Sequence, residues 1–413
     1  MYKTEDTKQL ITQLGIERLE NRFSYQKLMS GGKGGCITCI YSDDDTKESV
    51  VVKIHVNPTE DEIRRLNLEA DVLLEFRGAE GMFSNRPIIG LTPVRKIEHL
   101  PVYYFVMEYA EGISLHDYLN TIGFPKQELP WETPVEISLR IAEALSVVAR
   151  HQVVHRDLHD QNIIIAEHDS KSGVGSAVKQ TRIFDFGCGR LDSRKRKIID
   201  EFWEETGNVG FFFLAGSLYD PRKSKKTCEG AYGNLYTRRP VGAWSVIAPE
   251  VLSYPHHAEA KADIWSLGVL LYYMLARNFP FQNPDLEPLL EDMRQRKYKL
   301  LSETREDLPG ILSDVVDLFL DPVPERRINH ESIGYILVDL LEVPPDFWEA
   351  HSEFSHLYVK HRGEVRCCAS CGRLSFTDDK CQWCGSLFGS EEMFWDWAAP
   401  ISGGPGRIRT VKF

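Results

Sequence analysis

The sequence predicts an α+β protein of two unequal lobes, a small strand-rich one followed by a larger helical one, with a small cysteine-rich module after them. Three observations carry this. Short β-like apolar stretches fill the chain up to Glu108. From Gly112 to about Leu341 the apolar residues recur mainly at helical spacing. Five of the nine cysteines fall between Cys367 and Cys384. At 413 residues the chain exceeds the roughly 250–300 at which a single core stops growing, so more than one unit is expected. A hydrophobic fraction of 42% excludes a mostly disordered chain. The 61 acidic against 49 basic side chains, a formal charge of −12, make a nucleic-acid partner unlikely. The longest apolar run, Trp265 to Ala276, falls short of the roughly 20 residues that cross a bilayer, so no membrane span is expected. The polar start, Met-Tyr-Lys-Thr-Glu-Asp-Thr, has no secretory pattern, and the expected location is cytoplasmic.

In chain order, residues 1–26 read as a helical extension, with Leu10, Ile11, Leu14 and Ile16 as its stripe. The two-lobed body is expected over 27–345, with lobes at 27–108 and 112–345 joined near Met107 to Gly112. In the first lobe a glycine-rich turn precedes the β-like stretches Ile37 to Tyr41 and Val50 to Val56, and a helix-period stretch follows from Glu62 to Phe76. Val343-Pro-Pro-Asp346 punctuates the helical body. A linker (346–366), the cysteine module (367–390) and a tail (391–413) complete the chain.

Chemistry concentrates in a few strings. The turn Gly31-Gly32-Lys33-Gly34-Gly35 lets backbone amides approach an anion such as a phosphate. Lys53, inside Val50-Val51-Val52-Lys53-Ile54, is costly in a buried strand unless paired, and Glu69 on the following helix is a natural counter-charge. Then come His155-Arg156-Asp157-Leu158-His159-Asp160-Gln161-Asn162 and Ile183-Phe184-Asp185-Phe186-Gly187. Asp157, Asn162 and Asp185 are hard-oxygen groups suited to Mg²⁺ and to orienting a hydroxyl.

In this order the strings resemble the eukaryotic-like protein kinase family over roughly residues 27–340. The family's parts are a glycine loop, a strand lysine, a helix glutamate, H-R-D-L-x-x-x-N, D-F-G and A-P-E. The last is Ala248-Pro249-Glu250 here. Asp263-Ile264-Trp265-Ser266-Leu267-Gly268 resembles the helix whose Asp braces the catalytic loop. Asp321-Pro322 with Arg327 resembles the late arginine that pairs with Glu250. Val106-Met107-Glu108-Tyr109 looks like the hinge. The resemblance implies the bilobal protein-kinase fold and an enzyme that uses ATP and Mg²⁺ (or Mn²⁺) to move the γ-phosphate onto a protein hydroxyl. Asp157 would orient that hydroxyl, with His155 and Arg156 as its loop neighbours. Asn162 and Asp185 would hold the metal, and Lys53, fixed by Glu69, would neutralise phosphate charge. Gly32, Gly34 and Gly35 would cover the phosphates, while Met107, Glu108, Tyr109 and Ala110 would face adenine. Arg156 next to Asp157 implies activation by phosphorylation of the segment 185–250. Phe186 to Ile247 carries 11 Lys or Arg against 7 Asp or Glu, and Thr227, Tyr236 and Thr237 are its candidate phosphosites.

Three departures from the family pattern stand out. Ile37 replaces the third loop glycine and Cys39 the following valine. His159 occupies the place of the lysine usual in Ser/Thr members, and Ala243 that of its threonine partner, which leaves Tyr or dual specificity open. The 63 positions from Asp185 to Ala248 exceed the family's usual segment and include the apolar run Val209 to Leu218. The alternative reading is a nucleotide-binding pseudokinase scaffold.

Cys368-Ala-Ser-Cys371-Gly and Cys381-Gln-Trp-Cys384-Gly are two C-x-x-C-G knuckles nine residues apart. Their four thiolates suit a structural Zn²⁺, resembling a zinc ribbon, with iron or a redox dithiol as rivals. Trp383, Phe388, Phe394, Trp395 and Trp397 leave two readings open, a surface for a protein partner at this module or, the favoured one, packing against the two-lobed body.

Overall fold

A computed structural model describes residues 4–31, 36–78, 85–167, 178–188, 190–191, 246–253, 259–342, 366–367, 374–375, 391–395 and 408–412. Gly32, Gly34 and Gly35 lie outside the described residues, as do Thr227, Tyr236 and Thr237, and Cys368, Cys371, Cys381 and Cys384.

Helix α1 (Thr4–Gln13) leads into β1 (Arg18–Leu19), β2 (Phe23–Gly31), β3 (Cys36–Asp43) and β4 (Ser49–Val56). Gly15, at φ +63°, permits the turn that ends the helical stretch, so the sheet already begins within residues 1–26. Helix α2 (Glu60–Glu75) and the short β5 (Arg86–Pro87) follow, then β6 (Arg95–Lys96) and β7 (Val102–Glu108). The antiparallel sheet runs β1-β2-β3-β4-β7-β6.

β4 reads Ser-Val-Val-Val-Lys-Ile-His-Val, and its β-branched residues suit a pleated, half-buried surface. Side chains alternate across a strand. Val50, Val52 and Ile54 therefore join an outer cluster with Ile11, Ile16, Phe23, Ile37, Cys39 and Tyr41. Val51 joins the main core with Phe105, Met107 and the α2 residues Leu66, Ala70 and Leu73. The sheet is thus covered on both faces, by α1 and its following turn on one and by α2 on the other. Tyr41 Oη donates to the Ile16 carbonyl at 2.8 Å and ties that turn to β3. α2 starts in a capping box in which Thr59 and Glu62 satisfy each other's backbone N–H.

The large lobe opens with β8 (Ile113–Ser114), α3 (Leu115–Thr121) and α4 (Glu132–Arg150), then β9 (Val153–Val154), β10 (Ile163–Glu167), β11 (Val178–Ile183) and β12 (Arg190–Leu191). A second sheet orders β5-β11-β10-β8, and β12 pairs with β9. Helices α5 (Pro249–Ser253), α6 (Lys261–Ala276), α7 (Leu286–Arg294), α8 (Ile311–Phe319) and α9 (His330–Glu342) complete it. α6 is buried on nearly every side, as its lack of a polar face requires. At Gly268 an added Cβ would stand 2.5 Å from Phe319 Cβ, so glycine sets how closely α6 and α8 approach. Near the C-terminus β13 (Arg366–Cys367) pairs with β14 (Leu374–Ser375), and β15 (Glu391–Trp395) with β16 (Ile408–Lys412). Among the described residues no helix is long and apolar enough to cross a membrane.

Candidate active site

Lys53 shares Val51's face of β4 and so points toward α2. Its Nζ donates to both Glu69 carboxylate oxygens at 2.7 Å and lies 3.5 Å from Asp185 Oδ1. Burial alone would lower the Lys53 pKa, but the Glu69 and Asp185 charges outweigh it and hold the ammonium above its ordinary value. Lys53 in turn holds the Asp185 carboxyl below the usual carboxylate range. Glu69 is 3% exposed, whereas the Asp185 side chain is 46% exposed. The cluster is therefore anchored on the α2 side and open on the Asp185 side.

Two buried clamps shape the loop that follows β9. Asp263, at the start of α6, accepts the His155 N–H at 2.7 Å and the Arg156 N–H at 2.8 Å. Asn162 Nδ2 donates to the Asp157 carbonyl at 3.0 Å. Because His155 Nδ1 accepts the Asp157 N–H at 3.2 Å, its Nε2–H donates to the Phe184 carbonyl at 2.9 Å. Phe186 packs against His155 and Phe76, with ring centroids 4.6 and 5.2 Å apart. One aromatic chain thereby joins the end of α2 to this loop. Arg156 and Asp185 sit at φ +68° and +64°, conformations that cost a non-glycine residue about 1–3 kcal/mol each. The clamps fix the backbone that carries Asp157 and Asn162, and the Phe184 N–H donates to the Asn162 carbonyl at 3.1 Å, which ties the residue before Asp185 to the same loop.

The strand register fixes the opposite wall. Val51 stands across from Met107 and Lys53 from Phe105, so Met107 lies on the lysine's face. Glu108 turns the other way. Arg86 grips its carboxylate at 2.5 and 2.8 Å, and the Ile89 N–H donates to it at 3.1 Å. Tyr109 and Ala110 are half-buried beyond it. Ile37 and Cys39 pack in the outer cluster, away from this opening. Cys36, one pleat over, feels Lys53, Glu69 and Asp185, and burial pushes its thiol up to about 11, so it stays protonated.

The comparisons with known proteins agree with this geometry. The chain matches the family described as Protein kinase domain over residues 23–212 and 222–336. The chain belongs to the protein kinase family. It is 24% identical over 311 residues to a probable serine/threonine-protein kinase KIN1 homolog of Enterocytozoon bieneusi, covering 75% of this chain and 41% of that protein. It is 26% identical over 231 residues to CBL-interacting protein kinase 4 of Oryza sativa, covering 56% and 39%. With serine/threonine-protein kinase atg1 of Dictyostelium discoideum it shares 26% over 267 residues, covering 64% and 31%. The chain spans about two fifths or less of these relatives' length.

The kinase domain's two sheets and helical body form the bilobal fold of that family. Its lower lobe contains the long-range pair read from the motifs: Arg327, 1% exposed, donates to Glu250 at 2.8 and 3.1 Å and to the carbonyls of Asp321 and Lys261. Three features have no signature in the sequence. They are the Phe76–Phe186–His155 stack, the Arg86 grip on Glu108, and a histidine–carboxylate row comprising His116, Asp160, His159 and Asp157. Among the described residues no cluster of three or more His, Cys, Asp or Glu is arranged to hold a metal ion.

Proposed function

We propose that the chain is an ATP- and Mg²⁺-dependent protein kinase that phosphorylates Ser or Thr in protein substrates. The observation that carries this is the Lys53–Glu69–Asp185 cluster, closed at 2.7 and 3.5 Å beside a loop that presents Asp157 and Asn162. The donor set fits the cofactors. Asn162 spends its Nδ2 on the Asp157 carbonyl, which leaves Oδ1 as a hard oxygen ligand, and Asp185 is exposed and held ionised. Asn162 and Asp185 would hold Mg²⁺, which would supply charge neutralisation for the nucleotide's phosphates. Lys53 adds a fixed positive charge from the other side, and Asp157 orients the attacking hydroxyl and accepts its proton. By the family resemblance Gly32, Gly34 and Gly35 would cover the phosphates, and the backbone from Glu108 to Ala110 would meet adenine.

The choice of Ser or Thr follows the relatives named above, which are serine/threonine-protein kinases. His159 in place of the usual lysine keeps Tyr as an outcome of the test. The pseudokinase reading is not favoured, because every proton- and metal-handling residue is present and Ile37 packs outside the opening. Phosphate on Thr227, Tyr236 or Thr237 would regulate the enzyme through Arg156.

The cysteine module is read as a Cys₄ zinc ribbon that binds a protein partner. Support comes from the knuckle spacing and from the pairing of β13 with β14, the two short strands that flank Cys368 and Cys371 in sequence. One zinc per chain by elemental analysis, lost in Cys381→Ser, is the expected result. Radiolabelled γ-phosphate transfer to a mixed Ser/Thr/Tyr peptide library tests the main reading. Asp157→Ala is expected to lower transfer by about 10²–10⁴-fold. Equal transfer by the two proteins would overturn the reading.

A further inference from the structure

We propose that Arg86 is a positioning residue for nucleotide recognition: through its grip on Glu108 it locks the first residue of the adenine-facing backbone to the large lobe's sheet, and so sets how well that backbone tells adenine from a purine without the 6-amino group. This rests on the reading that the backbone from Glu108 to Ala110 meets adenine.

The segment that carries Arg86 lies between α2 and β6 in sequence, yet it is built into the large lobe. β5 pairs in parallel with β11, with Arg86 opposite Arg182 and Pro87 opposite Ile183. The Ile88 N–H donates to the Ile183 carbonyl at 2.8 Å, and Asn85 Oδ1 accepts the Thr181 N–H at 2.8 Å. At the other edge of the same sheet, β8 pairs Ile113 with Ile165 and Ser114 with Ile164. Just before β8, Gly112 sits at φ +128° and so close to β10 that an added Cβ would stand 2.3 Å from the Ile165 carbonyl oxygen. The linker from Glu108 to Gly112 is therefore fixed at its far end by backbone pairing and close approach.

Its near end is fixed through Glu108. Arg86 Nη1 and Nη2 donate to the two carboxylate oxygens at 2.5 and 2.8 Å, and the Ile89 N–H donates to Oε1 at 3.1 Å. The Glu108 N–H in turn donates to the Ile89 carbonyl at 3.0 Å. The Arg86 side chain is 9% exposed, so water competes little for this fork, and two parallel bonds fix the plane of the carboxylate as well as its place. Arg182 Nε, 3.9 Å from Oε1, adds positive charge beside the same oxygen. With its N–H and carboxylate committed to the protein, Glu108 can meet a ligand only through its carbonyl, an acceptor that matches the donor on adenine's 6-amino group.

The test compares ATP with purine riboside triphosphate, which lacks the 6-amino group, using the full chain, Mg²⁺ and the peptide substrate. Wild type is expected to favour ATP in kcat/KM by about tenfold or more. Arg86→Lys keeps the charge but loses the fork. It is expected to raise KM for ATP at least about fivefold with kcat within about twofold, and to shrink the preference for ATP to about threefold or less. The double variant Arg86→Met with Glu108→Gln leaves neither charge buried alone and should shrink the preference equally. A pair that serves stability alone lowers the urea midpoint and leaves the preference for ATP at its wild-type value, and that result would overturn the proposal. A rise in kcat would also overturn it, because the grip would then be a restraint on lobe closure. If wild type itself treats the two nucleotides alike, the adenine-facing reading falls and the proposal with it. A preference shared by wild type and variants removes the proposal alone.

Discussion

The two walls of the candidate active site are held by different physics. In the small lobe, Lys53 and Met107 point into the opening because strand register and two-residue alternation leave them no other face. In the large lobe, Asp157 and Asn162 lie on irregular backbone with Arg156 and Asp185 at positive φ, and buried polar contacts to Asp263, His155 and Phe184 hold that shape. A sheet distributes positional control over many replaceable apolar contacts, whereas the loop concentrates it in a few polar atoms. Substitution in the loop should therefore cost more stability per residue than substitution of the site residue borne by the sheet.

The largest effect is expected at Asp263→Ala, which strands the buried N–H groups of His155 and Arg156. At about 1–3 kcal/mol for each of the two unsatisfied groups the loss should be about 2–6 kcal/mol by urea denaturation, with phosphotransfer abolished. A loss below 1 kcal/mol would break the contrast. Next is Ile11→Ala, which opens a cavity between α1 and the outer sheet face where Ile11 is fully buried, at a cost of about 2–4 kcal/mol. It should leave KM for ATP nearly unchanged, since the outer cluster faces away from the opening. Lys53→Met should cost under about 2 kcal/mol, because Glu69, whose pKa burial already raises, takes up a proton when its partner is lost. Transfer should nonetheless fall at least about a hundredfold, which separates the site's chemistry from the lobe's stability.

The smallest effect concerns His55, on the next lysine-face position of β4. Its Nδ1 is buried without a hydrogen-bond partner among the described residues, and burial, aided by Lys53, pushes its pKa down to about 4. Between pH 6.5 and 4 the unfolded chain binds this proton and the folded chain does not, so stability from His55 is full above that window and falls as pH drops through it. The urea midpoint should accordingly decline less from pH 7.5 to 5 in His55→Gln, by on the order of 1 kcal/mol in stability. Equal declines would show that His55 stays neutral in both states or charges freely in both.

Much of this site was legible because its groups sit in short strings whose spacing carries chemistry. Lys53 in an apolar strand demanded a counter-charge, and Glu69 on the next helix supplied it. Asp263 and Arg327 could be read from their own local strings, although their partners lie far away in sequence. The direction of Ile37 and Cys39 was not legible. The ambiguity is one of register: a glycine-rich turn does not fix where the next strand begins, and a one-residue offset moves every side chain to the other face. The Arg86 grip on Glu108 and the approach of His159 to Asp157 also escaped, because single polar residues reveal their partners only after the chain has folded. The presence of α1 was legible as a stripe, but its end at Gln13 and what the stripe covers were not.

That covering has a practical consequence for anyone cutting the gene. The family match begins at residue 23, and an expression fragment started there would keep every motif discussed above. It would also strip Ile11, Ile16 and Leu19 from the sheet and leave Ile37, Tyr41, Val52 and Val106 as a bare apolar surface. Such a surface invites self-association. A soluble, monodisperse preparation of this domain should begin ahead of α1, and poor yield from a shorter fragment would say nothing about the enzyme.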